Sequence, residues 1–336
     1  MAKSVLLGFS GGIDSCTSAR LLQEQGYRVV ALTIDTIGNA KMIRQAKSKA
    51  HDMGIEWIGY DCREQFQRDI IDHFCSEYIA GRTPAPCTRC NRLIKWRILL
   101  DVADQHAIDH IATGHYFNIE RHGNKYYVAK GADPAKDQSY YLWGLSQQVL
   151  SRALTPMGQI IKSEIKEQFS DQSESMGICF LQGSHYADFL KSCGYALPSG
   201  DIADSRGTVL GRHNGIARYT IGQRRGEGIP EQMRVIDIDA ATNRVIVGDN
   251  SLLTKHELYI EECTIVDREE LLTANDITIK IRGIGRNPAE PVTIEPTERG
   301  YKICCRDGAW APAKGQPLVL YRNNLVVGGG IVCSFN

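Results

Sequence analysis

The stretch that most constrains this chain is residues 5–15, Val5-Leu6-Leu7-Gly8-Phe9-Ser10-Gly11-Gly12-Ile13-Asp14-Ser15. An apolar run passes straight into a Ser-Gly-Gly-x-Asp-Ser turn, and a helical pattern from Cys16 to Gln25 follows at once. A strand that ends in a glycine turn at a helix N-terminus makes an anion cradle. Glycines let backbone N–H groups converge on an oxyanion without steric conflict. The helix dipole and the orphan N–H groups of the first turn then favour a phosphate there. Ser10 and Ser15 add hydroxyl donors. Asp14 sits oddly beside a phosphate unless it caps the helix or holds a metal ion. A Gly-Gly turn before a helix also occurs in α/β proteins that bind no nucleotide, so the turn alone leaves both readings open.

With 336 residues, the chain exceeds one ordinary domain, and two or three are expected. No apolar run approaches the ~20 residues that span a bilayer, so no membrane association is expected. The start, Met1-Ala2-Lys3-Ser4, leads into a short strand rather than a signal-peptide core, and a cytoplasmic protein is expected. The 39 basic and 39 acidic residues cancel, which argues against a global polycation but leaves room for local basic patches. Eleven cysteines in such a compartment read as thiols, ligands or catalysts before disulfides. Cys16, Cys62, Cys75, Cys263, Cys304 and Cys333 lie in apolar or mixed periodic contexts and read as core filler.

The first third alternates strand and helix signals. Strands are predicted at 5–9, 28–34, 56–60 and 109–112, and helices at 15–25, 40–53, 64–80 and 90–106. This rhythm predicts an α/β fold with a doubly wound parallel sheet and ligands at the carboxyl ends of its strands. Beyond about residue 186, glycine-rich turns separate short alternating segments, five of them between 278 and 331. That texture predicts a small central β-rich region and a C-terminal antiparallel β-barrel or sandwich. The expected domains are 1–185, 186–254 and 255–336.

Residues 81–91, Gly-Arg-Thr-Pro-Ala-Pro-Cys-Thr-Arg-Cys-Asn, form a second unusual segment. Two prolines stiffen an extended loop, and Cys90 opens a helix between Arg89 and Arg92. A thiol so placed is expected to ionise more readily, and only the thiolate is a nucleophile or ligand. A redox pair, half a zinc site and a packing pair compete with a catalytic role; no second Cys/His pair with zinc spacing lies nearby. Cys179, between Ile178 and Phe180, reads in isolation as a buried strand residue.

The Ser-Gly-Gly-x-Asp-Ser turn resembles the PP-loop of N-type ATP pyrophosphatases, which cleave ATP between α- and β-phosphates and leave AMP on a substrate oxygen. Further motifs extend the likeness in order along nearly the whole chain. Ala112-Thr113-Gly114-His115-Tyr116 is similar to ATGHY, Lys136 to Leu142 to KDQSYFL, Gly177 to Phe180 to GICF, and Tyr219 to Gly226 to YTIGQRxG. Gly315-Gln316 and Gly328-Gly329-Gly330-Ile331 resemble the family's final barrel. On these residues the chain resembles the tRNA-specific 2-thiouridylase (MnmA/TrmU) family. The resemblance implies ATP on Gly8, Phe9, Ser10, Gly11, Gly12, Ile13, Asp14 and Ser15, with the adenine near Ile34 and Gly114, and Mg2+ on the phosphates. It implies adenylation of O2 of the wobble uridine U34 in tRNAs for Lys, Glu and Gln, followed by sulfur attack at C2. Cys179 then carries a persulfide, Cys90 is the nucleophile that assists sulfur release, and a disulfide between them is one route. Ala85, Pro86, Cys87, His115, Lys136, Asp137, Gln138, Arg282 and Gln316 match positions that contact the target base or tRNA. Modification requires the base to be flipped out, which a rigid proline wall beside the nucleophile suits. A lone Lys-Asp pair also reads as a solvated surface salt bridge, and His115 as a packed histidine. The sulfur donor implied is a cysteine desulfurase or a sulfur carrier.

Cys87 stands where the family usually has Asp, and Arg282-Gly283 replaces the family's Arg-Tyr, which bears on one tRNA contact. The segment after the second strand (Asp35 to Asn39) is also shorter than the family's acidic insert. Cys87, Cys90 and Cys179 together could ligate a [4Fe–4S] cluster with one iron open to sulfide, as in some related PP-loop tRNA thiolases. An amide-forming PP-loop ligase, which needs no cysteine pair, is the rival enzyme, and a tRNA-binding module with a degenerate nucleotide fold is the rival non-enzyme.

Overall fold

A computed structural model of the chain describes residues 3–166, 177–281 and 287–336 and divides into two compact units. The first comprises Met1–Ile70, Cys87–Met176 and Asn324–Val327. In it β1 (Ser4–Gly8), α1 (Ile13–Glu24), β2 (Arg28–Asp35), α2 (Ala40–Asp52), β3 (Glu56–Asp61) and β4 (His110–Thr113) alternate as predicted. They are followed by β5 (Phe117–His122), β6 (Lys125–Lys130) and β7 (Ala153–Leu154). A fully parallel sheet runs in the order β3-β2-β1-β4-β7.

β1 is the central strand and reads as an unbroken apolar run because both its faces are covered: Val5, Leu6 and Leu7 are fully buried. Ala19 and Leu22 of α1 and Ala46 and Ala50 of α2 pack with Val5, Leu7 and Ala31 on one face. Each large side chain so buried contributes roughly 1.5–3 kcal/mol. From β1 the chain winds to β2 and β3 on one side and later to β4 and β7 on the other. That reversal opens a crevice at the carboxyl ends of β1 and β4, where doubly wound sheets bind ligands.

Both predicted long helices form, each interrupted by a π-helical turn. The first runs through Arg63–Phe66, the π turn Gln67–Ile71 and Asp72–Ile79, and the second through Pro86–Cys90, the π turn Asn91–Lys95 and Trp96–Gln105. The second begins at Pro86, four residues before the expected start at Cys90, because proline suits the first helical position, where no N–H is needed. The β5–β6 hairpin is an element the predicted rhythm omits. Its cue is present: Phe117 and Ile119 alternate before Gly123-Asn124, and Tyr127 and Ala129 after it. β6 also pairs with Leu325 and Val326, so this unit draws a strand segment from near the C-terminal end.

The second unit comprises Ile71–Pro86, Gly177–Asn323 and Gly328–Asn336. β8 (Gly200–Asp204), β9 (Val209–His213), β10 (Arg234–Asp239) and β11 (Arg244–Gly248) form a sheet in the order β10-β11-β8-β9. Ile202, Tyr219, Val235, Val245 and Val247 form its core. A second, antiparallel sheet uses β12 (Thr254–Ile265), β13 (Ile277–Lys280), β14 (Thr293–Pro296), β15 (Tyr301–Trp310), β16 (Pro317–Arg322) and β17 (Leu325–Phe335), in the order β13-β16-β17-β12-β15-β14. Val292 N–H donates to the Ile277 carbonyl at 2.8 Å, which curls the β14 edge back towards β13. Five strands were expected here and six form. The addition is β12, whose bulged register masks its alternation. Arg282 and the basic residue Arg286 lie outside the described residues. Among the described residues no helix is long and apolar enough to cross a membrane.

Candidate functional site

The glycine turn lies at the carboxyl end of β1. Gly11 has φ +76°, and a Cβ there would stand 3.0 Å from Cα of Ala46. Both facts require glycine, since the left-handed region penalises a side chain and the α2 backbone leaves no room. Gly12 is the extended N-cap of α1 and supplies no capping side chain, so the first-turn N–H groups lack the usual side-chain acceptor. Ser15 Oγ donates to the Gly12 carbonyl at 2.9 Å and lies 3.3 Å from Ser10 Oγ. Gly114, just past β4, closes the opposite wall: a Cβ there would meet the Asp14 carbonyl carbon at 3.1 Å and Ser15 N at 3.2 Å. Ile34 lies next to the end of β2 at the same edge of the sheet, half-buried. Gly8 to Ser15, Ile34 and Gly114 therefore share one rim, and its shape fits an oxyanion.

Asp14 neither caps α1 nor stands alone. Its Oδ1 accepts from the Tyr116 hydroxyl at 2.7 Å and pairs with Lys162 Nζ. Lys162 is buried, its ammonium 5.5 Å from the Tyr116 ring centre, and its backbone N–H donates to Asp133 Oδ2 at 3.0 Å. The aspartate thus brings a buried cation to the cradle, which supplies the positive charge that an acidic residue alone would deny a phosphate. No motif marks Lys162; only the fold brings it within reach of a residue so far away in sequence.

Tyr116 is itself held by the 136–142 segment. Gln138 Oε1 accepts from Tyr116 N–H at 2.9 Å, and Gln138 N–H donates to the Tyr116 carbonyl at 2.9 Å. The Asp137 carboxylate accepts from the N–H groups of Gly131 and Ser139 and from Ser139 Oγ, at 2.9 to 3.1 Å. Asp137 and Gln138 therefore shape this segment and tie it, through Tyr116, to Asp14. His115 lies 2.6 Å (Nδ1) from Thr113 Oγ1 and stacks on Trp96. Burial, reinforced by the charge of Lys95, holds its imidazole well below the usual histidine range, so it is neutral.

Cys87 and Cys90 lie one turn apart on the Pro86–Cys90 helix, Cys87 exposed and Cys90 partly buried. The two arginines that flank the thiol in sequence also make contacts of their own. Arg89 Nε donates to the Asp69 carbonyl at 2.9 Å, and the Arg92 guanidinium lies 5.8 Å from the Trp143 ring centre. Asn91 donates to the Tyr141 carbonyl at 3.2 Å, and burial together with the charge of Cys87 raises the Tyr141 phenol. Tyr141 thus joins the 136–142 segment to the cysteine helix. Burial, with the charge of Cys90 second, pushes the Cys62 thiol up to about 12.

Cys179, in the second unit, departs from the expected strand. It is exposed and opens a single 3-10 turn, Cys179–Leu181, between Gly177 at φ +102° and Gln182 at φ +48°. The apolar signal came from Phe180, which is buried against Phe74 and Phe189 at ring-centre distances of 5.1 and 5.2 Å. In the same unit Gln316 Nε2 donates to the Thr83 carbonyl at 2.7 Å, and Thr83 N–H to the Lys314 carbonyl at 2.8 Å. Gly315 at φ +88° leaves its missing Cβ 3.1 Å from Glu77 Oε2 and 3.2 Å from Arg82 Cβ. Gln316 thereby pins the loop that carries half-buried Ala85 and buried Pro86.

None of the eleven cysteines is in a disulfide. Among the described residues no three His, Cys, Asp or Glu side chains converge as a metal site. Mg2+ keeps most of its shell from phosphate oxygens and water, so the cradle needs no carboxylate cage to accept it with a nucleotide.

Comparisons with known proteins agree on the family. Residues 3–183 match the profile of a tRNA methyl transferase HUP domain, and residues 187–249 that of a tRNA methyl transferase PRC-barrel domain. A tRNA-specific 2-thiouridylase MnmA from Bacteroides fragilis is 38% identical over 98% of this chain and 97% of its own. One from Phocaeicola vulgatus is 37% identical over 98% and 97%, and one from Clostridium botulinum 36% identical over 99% of both.

Proposed function

The chain belongs to the tRNA-specific 2-thiouridylase family, and we propose on that premise that it is a tRNA-uridine 2-sulfurtransferase that spends ATP to replace O2 of the wobble uridine, U34, by sulfur. The observation that carries this reading is the glycine-walled cradle at α1, with Lys162 brought to it by Asp14. A methyl transfer, the word in the domain profiles, would have no use for a phosphate cradle paired with exposed thiols.

In the first half-reaction, uridine O2 attacks the α-phosphorus of ATP and pyrophosphate leaves. N–H groups of the first turn of α1, Ser10, Ser15 and Lys162 meet the growing negative charge. Mg2+ bound with the nucleotide would neutralise phosphate oxygens. Ile34 and Gly114 border the adenine, and neutral His115 offers an acceptor nitrogen beside the base. In the second half-reaction, the terminal sulfur of a Cys179 persulfide attacks C2 and AMP leaves. Cys90 thiolate then attacks Cys179 Sγ, the S–S bond breaks, and the thiouridine departs. A Cys90–Cys179 disulfide remains, and an external dithiol supplies the two electrons that reopen it. The persulfide route needs only the chain's own thiols and a sulfur donor, and a [4Fe–4S] cluster on Cys87, Cys90 and Cys179 is the alternative.

The proposed substrates are tRNAs for Lys, Glu and Gln, and the proposed donor is a cysteine desulfurase or sulfur carrier, in the cytoplasm. Residues 1–185 carry adenylation and thiolation, 186–254 a β-rich tRNA-contacting region, and 255–336 the barrel. Ala85, Pro86 and Cys87 face the flipped base, with Lys136, Arg282 and Gln316 among the tRNA contacts.

The test is reconstitution. Purified protein, unmodified tRNA, ATP and a persulfide donor should yield 2-thiouridine by nucleoside mass analysis, with one AMP and one pyrophosphate per sulfur. Pyrophosphate release without 2-thiouridine would favour an amide-forming ligase. Tight tRNA binding without ATP cleavage would favour a binding module. Activity that tracks bound iron and sulfide would replace the persulfide with a cluster.

A further inference from the structure

Lys162 reaches Asp14 from a stretch of chain that is itself fixed at several points. Met157 is fully buried and packs in one cluster with Ile13 and Tyr116. The Gly158 carbonyl accepts from Ala132 N–H at 2.8 Å and from Asn118 Nδ2 at 3.0 Å. Lys162 N–H donates to Asp133 Oδ2 at 3.0 Å, and both residues are buried. The other carboxylate oxygen of Asp133, Oδ1, accepts from Ala135 N–H at 2.9 Å, and the Asp133 carbonyl accepts from Lys136 N–H at 3.1 Å. Each carboxylate oxygen therefore grips a different piece of chain. Burying such a group costs free energy unless it is hydrogen-bonded, and two N–H groups at once call for two acceptor oxygens, where an amide side chain has one. Further along the same segment Gln138 holds Tyr116, whose hydroxyl donates to Asp14 Oδ1 at 2.7 Å. One short segment thus sets both members of the Asp14–Lys162 pair.

We propose that Asp133 is a positioning residue for the ATP half-reaction: it sets the backbone of Lys162 so that the ammonium stays within reach of a phosphate at the cradle, and its influence on the nucleotide passes through that lysine. The proposal rests on the reading of the cradle as an ATP site. Without nucleotide the ammonium is paired with Asp14. A triphosphate carries more negative charge than one carboxylate and draws the ammonium towards itself. Lysine is a point charge on a flexible four-carbon stem, so the reach of that charge is limited by where its Cα is held. Asp133 does the holding, through the Lys162 N–H. A shift of about an ångström in such an anchor is enough to misplace a group that acts at a reacting centre.

The test is a double-mutant cycle on ATP affinity, measured without tRNA by calorimetric titration of the full-length protein with ATP and Mg2+. Lys162→Met should weaken binding by about tenfold and Asp133→Ala by about fivefold. The double variant should be weakened by about tenfold only, against about fiftyfold for two residues acting independently. Urea unfolding should show the opposite pattern. The stability lost through Asp133→Ala should appear with or without Lys162→Met, because the backbone N–H at position 162 loses its acceptor in either background. A merely structural Asp133 would lower stability and leave ATP affinity unmoved. Asp133→Asn, which keeps one acceptor oxygen, carries the same cycle where the alanine variant does not fold, with an expected weakening of about threefold. Unchanged ATP affinity in the Asp133 variants, or losses that multiply in the double variant, overturns the proposal and leaves the ATP site standing. A wild type that binds no ATP overturns the site and the proposal together.

Discussion

The two thiols assigned to sulfur transfer sit in opposite kinds of setting. Cys90 lies inside a helical run whose neighbours are tied down: Arg89 on the Asp69 carbonyl, Asn91 on the Tyr141 carbonyl, Arg92 over Trp143. Cys179 lies on a three-residue turn between two residues of positive φ, with Phe180 buried beside it. One thiol sits among tied neighbours and the other on an exposed turn. A sulfur carrier must meet a donor as well as a substrate, and an exposed turn suits that travel. A nucleophile that acts at one place gains from being held still. The difference argues that the two cysteines are not interchangeable.

The sharpest way to break that comparison is to remove each thiol in turn. Cys179→Ser should lower 2-thiouridine formation by at least about a thousandfold while tRNA-dependent pyrophosphate release persists. Cys90→Ser should still accept a persulfide on Cys179, detected by mass, yet stall before product release. Equal loss of persulfide loading in both variants would erase the division of labour.

Phe180→Ala tests the anchor. Truncating a buried phenylalanine costs about 3–5 kcal/mol in a packed core, and here the loss should concentrate in residues 177–192, seen as faster proteolysis there. Adenylation in the other unit should be untouched, and a matching fall in pyrophosphate release would contradict the separation.

Asp14→Asn tests the network. Breaking a buried ion pair costs about 3–5 kcal/mol. Because the Asp14 side chain is 39% exposed, the expected loss is about half that, measured by urea unfolding. The KM for ATP should rise, and Lys162→Met should raise it too. An unchanged KM in both would remove Lys162 from the cradle.

The smallest expected effect concerns pH. His115 in the folded state has a pKa below the ordinary histidine value, so the unfolded chain binds its proton first as pH falls. Stability should therefore drop below about pH 6.5, by at most about 1.4 kcal/mol per pH unit until the folded pKa is reached. His115→Gln should flatten that part of the stability profile, and an unaltered slope would assign it to other groups.

Much of this arrangement was legible before any coordinates. β1, its glycine turn and the alternation through β4 follow from periodicity and punctuation, which are local signals. What stayed hidden depends on distant partners. Lys162 reaches Asp14 only through the fold, and Asp137 and Gln138 look like solvated polar residues until Gly131 and Tyr116 arrive. Cys179 misleads because the burial signal around it belongs to Phe180. The early start of the second long helix is signalled by Pro86, a residue suited to the first helical position.

One pairing has a consequence for how the chain is made. β6 ends at Lys130, yet its neighbours Leu325 and Val326 leave the ribosome far later. Until then the outer edge of the β5–β6 hairpin presents unpaired backbone groups, an invitation to stray pairing with another nascent chain. Final closure of the first unit therefore waits until Leu325 and Val326 have been made, long after Lys130. A fragment cut after the first domain profile would carry that open edge permanently and should aggregate more readily than the whole protein.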